Sequence, residues 1–204
     1  MVPKSQVTFT LVYAVSFTLL YGIIVNMRQN GPENHPPPPA GAIKKASDAS
    51  VLKSKADFVA AWRHAKVPAR KAYLGRTFDA ALSDLGAMAP VSAFITHVLF
   101  GGVLGGHWIG KRFHKGSETG DNRFSTAGFR NSFRATVENS WVDGKPALVL
   151  QYQYGDSILW GTMLRMRDEL REISPGVWLG LGSMAATGGM ANSAPFLMFE
   201  PKKA

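Results

Sequence analysis

Residues 133–154 read FRATVENSWVDGKPALVLQYQY, and they dictate a β-hairpin. Phe133, Ala135, Val137 and Trp141 alternate with Arg134, Thr136, Glu138 and Ser140, the period-two pattern of a strand with one buried face, broken only at Asn139. Asp143-Gly144 offers the positive-φ pair of a two-residue primed turn. Ala147 to Tyr154 then returns with Leu148, Leu150, Tyr152 and Tyr154 in alternation. With Val142 opposite Lys145, Val137 meets Leu150, Ala135 meets Tyr152 and Phe133 meets Tyr154. Both apolar faces coincide in that register, and a one-residue slip would put one of them in water.

On either side the chain continues to read as sheet. His107 to His114 has the pattern of one strand, 122–126 starts another, and Val177 to Leu181 and Phe196 to Phe199 are short apolar runs bounded by Gly and Pro. That makes six or so strands. In 158–173, Leu159, Met163, Met166, Leu170 and Ile173 fit a helical stripe, whereas the Pro175-Gly176 turn favours a strand. A short helix or loop followed by a strand from Met166 to Ile173 reconciles the two. Gly182 to Pro195, rich in Gly, Ala, Ser and Met, is long enough to cap a barrel mouth or to form a contact surface.

Gly106-His107-Trp108-Ile109-Gly110, followed by Lys111-Arg112-Phe113, resembles the G-x-W-x-G signature of a mostly uncharacterised family of small β-rich, lipocalin-like domains. The stretches 143–150 (DGKPALVL), 167–172 (RDELRE) and 175–180 (PGVWLG) are similar to segments that recur in bacterial proteins of this size, so the resemblance covers about residues 86 to 200. It implies a calycin-like antiparallel barrel with an apolar interior and no established catalysis. The N-terminal portion departs from that pattern.

Upstream, Ile43 to Lys66 places Val51, Lys55, Phe58, Val59 and Trp62 along one helical face. After Pro68, Ala69 to Leu85 is expected to form a second helix with Tyr73, Phe78, Ala81, Leu82 and Leu85 inward, stopping at Gly86. Val91 to Leu104 is apolar but short for a bilayer, and reads as a buried helix or a re-entrant contact. From Ser5 to Met27 there are 23 residues without a charge, enough for ~34 Å of helix against a hydrocarbon core of about 30 Å. A single membrane span is expected there. Gln29 to Ala42, with Pro32 and Pro36 to Pro39, then forms a stiff extended spacer. Lys4 on one side and Arg28, Lys44 and Lys45 on the other favour a cytoplasmic or matrix-like side for the C-terminal portion of the chain.

The fold class expected is α+β: a transmembrane helix in 1–28, a Pro-rich spacer in 29–42, a helical segment in 43–105, and a mainly antiparallel lipocalin-like β-barrel or strongly curved sheet in 106–204. Charge is unevenly spread. The first 42 residues hold only Lys4, Arg28 and Glu33, which leaves 21 basic and 13 acidic residues in the remainder. An excess of that kind favours acidic partners. Nucleic acid is not among those expected, because the basic residues are scattered and no run of five occurs. There is no cysteine, which removes disulfides, thiolate metal sites and cysteine nucleophiles.

Little else points to chemistry. His107 and His114 are seven apart and face opposite ways in a regular strand, so no metal site is expected. Arg167, Asp168, Glu169, Arg171 and Glu172 alternate as a cross-strand ion-pair network, with Glu169 beside Arg167 and Arg171 on one face and Asp168 and Glu172 on the other. No G-x-S-x-G elbow, phosphate loop or dinucleotide fingerprint occurs in a strand-to-helix context, and no cofactor is implied. The candidate ligand-binding residues are Trp108, Phe133, Tyr152, Tyr154 and Trp178, an aromatic lining suited to a lipid or other hydrophobic ligand if it does not simply fill the core. The function expected first is a non-enzymatic accessory subunit of an integral-membrane protein complex, docking a basic β-barrel on an extramembrane face, respiratory or photosynthetic complexes being natural hosts; the alternative is a membrane-tethered binder of a lipid or other hydrophobic ligand. An enzyme acting on membrane-derived substrates is the third, and it requires convergent, desolvated titratable groups in a cleft.

Overall fold

The computed structural model describes residues 42–85, 89–100 and 106–201. The expected span in 1–28 and nearly all of the proline spacer lie outside the described residues. Among the described helices none is long and apolar enough to cross a membrane.

Eight strands alternate direction and close on themselves: β1 (Thr77–Leu82), β2 (Trp108–Phe113), β3 (Thr119–Phe124), β4 (Gly128–Asn139), β5 (Pro146–Gln151), β6 (Arg167–Ser174), β7 (Val177–Ser183) and β8 (Ala194–Phe199). Each pairs antiparallel with its sequence neighbour, and β1 pairs with β8 from Asp79↔Phe199 to Leu82↔Phe196. Closure removes the exposed edges that an open sheet would carry. Of the two forms expected, a β-barrel or a strongly curved sheet, the structure shows the closed barrel, with two more strands than the six or so that the sequence suggested.

The additional closing strand is β1, and it corrects the helix expected over Ala69 to Leu85. Only a 3₁₀ turn at Arg70–Ala72 is helical there. Phe78 is fully buried, with Ala80 and Leu82 packed at positions two and four beyond it. Those three residues satisfy a period of two as readily as the helical set satisfies 3.6, and unpaired edges on β2 and β8 decide between the two. Barrel sequence thus begins inside the segment 43–105, which the sequence alone marks as helical.

The hairpin is present, with a register shifted by two. Val137 pairs with Leu148 and Ala135 with Leu150. A six-residue connection, 140–145, replaces the two-residue turn. It is closed by Ser140 N donating to the Lys145 carbonyl at 2.9 Å, with Val142 N held on the Ser140 hydroxyl at 2.9 Å. An even shift preserves which face each residue takes, so Phe133, Ala135, Leu150 and Tyr152 still point inward and are buried. Three inward expectations fail: Val137 is 56% exposed, Trp141 lies in the connection at 62%, and Tyr154 lies beyond β5 at 37%.

Glycines of the G-x-W-x-G stretch have structural work. Gly106 has φ +72° and a Cβ there would fall 2.2 Å from the Ser125 hydroxyl; at Gly110 it would fall 2.0 Å from the Phe78 carbonyl. Backbone therefore lies against backbone where β2 meets β1. A bulge between Trp108 and Gly110 turns both Trp108 and Lys111 inward, against strict alternation.

Two apolar layers result. Inside, Tyr73, Phe78, Phe113 and Trp178 plug one end, with Phe78 and Trp178 ring centroids 4.8 Å apart and Tyr73 and Phe113 5.2 Å apart. Outside, helix α1 (Lys55–His64) lays Phe58, Ala61 and Trp62 on Ala147, Val177, Leu179 and Leu181. The helix starts at a reciprocal cap between Ser54 and Asp57. Burying an aromatic of this size stabilises by about 1.5–3 kcal/mol, so α1 belongs to the fold of the barrel. The segment 91–104 is described to residue 100 as α2 (Ala89–Phe94) running into a π-helical turn, Ile95–Phe100. Phe94 on it is 58% exposed, which does not fit a fully buried helix. Between β5 and β6 the short helix α3 (Ile158–Leu164) precedes the strand, as expected.

Candidate functional site

At the end opposite the aromatic plug, where β2, β6 and β8 begin, the barrel interior is not filled. A cavity reaches down to Trp108, Lys111, Asn122, Tyr152 and Asp168 and is walled by Phe124, Met166 and Phe196, with Ser92, Ile95 and Thr96 of α2 and its π-helical extension and Met184, Thr187 and Asn192 of the 184–192 loop around its mouth. The cavity volume is about 80 Å³ and it opens at the mouth, room for several waters or for one end of a small ligand. The Gly/Ala/Met-rich loop thus lies at the barrel mouth, folded into two 3₁₀ turns, Ala185–Thr187 and Gly189–Asn192.

The floor is polar and largely buried. Lys111, 1% exposed, sends Nζ to Asp168 Oδ2 at 2.8 Å, to Asn122 Oδ1 at 2.7 Å and to the Tyr152 hydroxyl at 2.6 Å. Three acceptors use the three hydrogens of an ammonium group. Tyr152 in turn donates its hydroxyl hydrogen to Asp168 Oδ2 at 2.6 Å, and Trp108 Nε1 donates to Asn122 Oδ1 at 3.0 Å. Asn122 Nδ2 donates to the Asn131 carbonyl at 3.2 Å. The rings of Trp108, Tyr152, Phe133 and Phe196 surround Nζ with centroids 5.2 to 5.5 Å away, presenting the negative faces that favour a buried cation.

Burial pulls the Lys111 ammonium below its ordinary range, opposed by the Asp168 carboxylate beside it. Burial pushes the Tyr152 phenol well up, and the neighbouring Asp168 charge adds to this. Tyr152 therefore stays a neutral donor and acceptor. At the mouth, His97 Nδ1 accepts the Trp108 backbone N–H at 3.0 Å, and its ring meets His107 edge-on at 5.0 Å. Burial lowers the basicity of His97, helped by His107, which suits the neutral acceptor that this bond needs.

Of the five residues expected to bind ligand, the structure brings two to the cavity, Trp108 and Tyr152. Phe133 is fully buried one layer behind, 5.9 Å from Tyr152 and 5.4 Å from Lys111 Nζ. Trp178 belongs to the opposite plug. Tyr154 is on the outside, its ring 5.6 Å from the Arg134 guanidinium.

Sequence reasoning misses Lys111, Asn122 and Asp168. Strict alternation sets Lys111 opposite to Trp108, and only the bulge at Gly110 reverses that. For Asp168, alternation does set it on the face opposite Arg167 and Glu169, and that separation carries the signal. The ion-pair network does form outside the barrel: Arg167 binds Glu138 at 3.0 Å and Glu169 at 2.9 Å, and Arg171 binds Asp143 at 2.7 Å. Asp168, on the other face, turns inward to a lysine from another strand. Among the described residues no group of three or more His, Asp or Glu side chains is placed to hold a metal ion.

No family model and no curated protein matches the sequence. Among solved structures, the crystal structure of a protein from Thermomonospora curvata is similar at a TM-score of 0.44 and 12% identity, over 69% of this chain and 83% of that one.

Proposed function

We propose that the barrel binds a compact hydrophobic molecule in the cavity above the Lys111–Asp168 pair. The observation that carries this reading is the arrangement of the interior: one end is packed solid with aromatic rings, while the other keeps open space walled by Trp108, Phe124 and Phe196 over a fixed polar floor. Apolar walls with a few placed polar groups are the ordinary composition of a small-molecule site. A lipocalin-like role accords with the closed eight-stranded meander.

Lys111, Tyr152 and Asp168 also meet the geometric condition for an enzyme, since they converge and are desolvated. Binding is the better supported role. The hydrogens of Lys111 and Tyr152 are already spent on protein acceptors, which fixes both groups in place as a binding floor and favours neither as a proton donor to a substrate. The accessory-subunit reading draws instead on the uncharged stretch 5–27 and on exposed apolar side chains of the barrel's helices, where Phe94, Ile158, Leu159 and Met163 are 58% to 66% exposed. Within the proposal these features hold the barrel at a membrane, where a hydrophobic ligand is concentrated.

Titration of the full chain in lipid nanodiscs with toluene, followed at the tryptophan indole ¹H–¹⁵N signals, tests it. Trp108 is expected to shift saturably while Trp62, packed under α1, stays still. Ala194→Leu, which puts three carbons into the cavity wall, is expected to abolish the shift. An unmoved Trp108, or binding that survives Ala194→Leu, removes the proposal.

A further inference from the structure

We propose that the cavity selects compact apolar molecules carrying a hydrogen-bond donor, a hydroxyl or phenol above all, and that Asp168 Oδ1 is the atom that reads it. This rests on the binding role proposed above and names the ligand class.

The inference comes from the polar atoms of the floor and their partners. Lys111 has spent its three hydrogens on Asp168, Asn122 and Tyr152. Asn122 Oδ1 accepts from both Lys111 and Trp108, and its amide donates to the Asn131 carbonyl. Tyr152 accepts from Lys111 and donates to Asp168 Oδ2, so Oδ2 holds two donors. Asp168 Oδ1 has no hydrogen-bond partner among the described residues, although Asp168 lines the cavity and its side chain is 13% exposed. Beside it the chain carries a glycine. A Cβ on Gly182 would lie 3.0 Å from Oδ1, so the missing side chain is what leaves that oxygen approachable.

The floor thus presents one open carboxylate oxygen, while the hydrogens of its ammonium and phenol are all taken. A ligand hydroxyl would supply the donor, and a bond to a charged acceptor in a largely buried site is among the stronger kind. An anionic head group has the opposite fate. It would meet the Asp168 oxygen, and it could reach Lys111 only by displacing Asn122, Tyr152 or Asp168 from an ammonium they already saturate. The site therefore discriminates against carboxylates despite its buried lysine, and the basic excess of the chain plays no part in ligand choice.

Benzyl alcohol and anisole are isomers of equal size, one with a donor and one without, and benzoate supplies the anion. Full chain in nanodiscs is titrated with each at pH 7, reading the Trp108 indole signal. Benzyl alcohol is expected to bind at least about tenfold more tightly than anisole, and benzoate to give no saturable shift. Asp168→Asn removes the counter-charge of Lys111 and is liable not to fold, so Gly182→Ala carries the second arm. Its methyl group covers Oδ1, and the alcohol-to-ether ratio is expected to fall to about one to two, with the protein still folded. Equal affinities for the isomers, a ratio unchanged in Gly182→Ala, or tightest binding by benzoate overturns the donor assignment while leaving the cavity as a binding site. Failure of all three molecules to move Trp108 overturns the binding role itself.

Discussion

At the scale of the residue, Lys111 is the most consequential side chain in the barrel. An ammonium with 1% exposure survives because Asp168, Asn122 and Tyr152 replace its water and four rings face it. Removing one partner of such a pair leaves the other charge buried without compensation, at a cost of about 3–5 kcal/mol, whereas replacing both with apolar side chains is often neutral or better. Lys111→Met is therefore expected to lower the unfolding free energy by that amount, and Lys111→Met with Asp168→Leu to recover most of it. A double-mutant cycle by urea denaturation measures the difference. A double variant no more stable than the single would mean that Asp168 is not the principal partner. None of this is legible from alternation alone. Lys111 stands three residues after Trp108, which regular pleating sends to the other face, and the inversion depends on a bulge that the sequence marks only by a glycine at 110.

At the scale of the element, the outer face of β6 is tied to α1 through one arginine. Arg171, 2% exposed, grips both oxygens of Asp143 at 2.7 and 2.8 Å, donates to the carbonyls of Pro146 and Lys145 at 3.1 Å and of Arg63 at 3.3 Å, and stacks 3.9 Å from the Trp62 ring. It fastens the 140–145 connection and the helix to the same strand. The two-residue turn expected at Asp143-Gly144 fails for this reason: the Asp143 carboxylate is drawn to Arg171, and Ser140 closes a longer loop. Desolvation works to raise the Asp143 carboxyl, but the hydrogen bonds from Arg171 and the Lys145 backbone outweigh it and hold it below the usual carboxylate range. The folded-state value lies below the unfolded one, so the associated stability is full above about pH 4 and fades as pH falls from there toward the folded value. Arg171→Lys keeps the charge but loses the planar fork. It is expected to cost roughly 2–3 kcal/mol at pH 7 and to flatten the loss of stability below pH 4. Urea midpoints at pH 7 and pH 3 read both effects, and a variant with an unchanged acid slope would detach Asp143 from the acid sensitivity. Strand β6 itself, the turn after it and β7 are readable, because each carries its own alternation and a Pro-Gly boundary. Strand β1 is not, since its six residues acquire a strand identity only from partners some 30 and 120 positions away in the chain.

At the scale of the whole molecule, the described residues form a closed system whose strands pair around the full circle from β1 to β8 and whose outer helix is held by Trp62 and Arg171. They all fall within one compact unit, Asn34–Ala204. That the interior would be apolar and aromatic is readable from Phe133, Tyr152 and Trp178; that it would be packed at one end and open at the other depends on barrel shear and the bulge, which residue type does not encode. In the proposed reading the chain separates its tasks along its length. If the barrel owes its stability to contacts within 42–201, a chain beginning at residue 42 is expected to melt within about 2 °C of the full chain, because no described core residue is lost and a change under 0.5 kcal/mol moves the midpoint little at this size. If the uncharged stretch 5–27 is what brings the barrel to a membrane, the same truncation is expected to release it. Full chain should remain with the membrane pellet after alkaline carbonate extraction, and the shortened chain should move to the supernatant. Calorimetry and fractionation of the two chains check the halves separately. A truncated chain that stays with the pellet would transfer the membrane contact to the barrel, where Ile158, Leu159 and Met163 of α3 form the exposed apolar face. A shortened chain that fails to fold would show instead that residues 1–41 complete the barrel, and the division of labour would have to be abandoned.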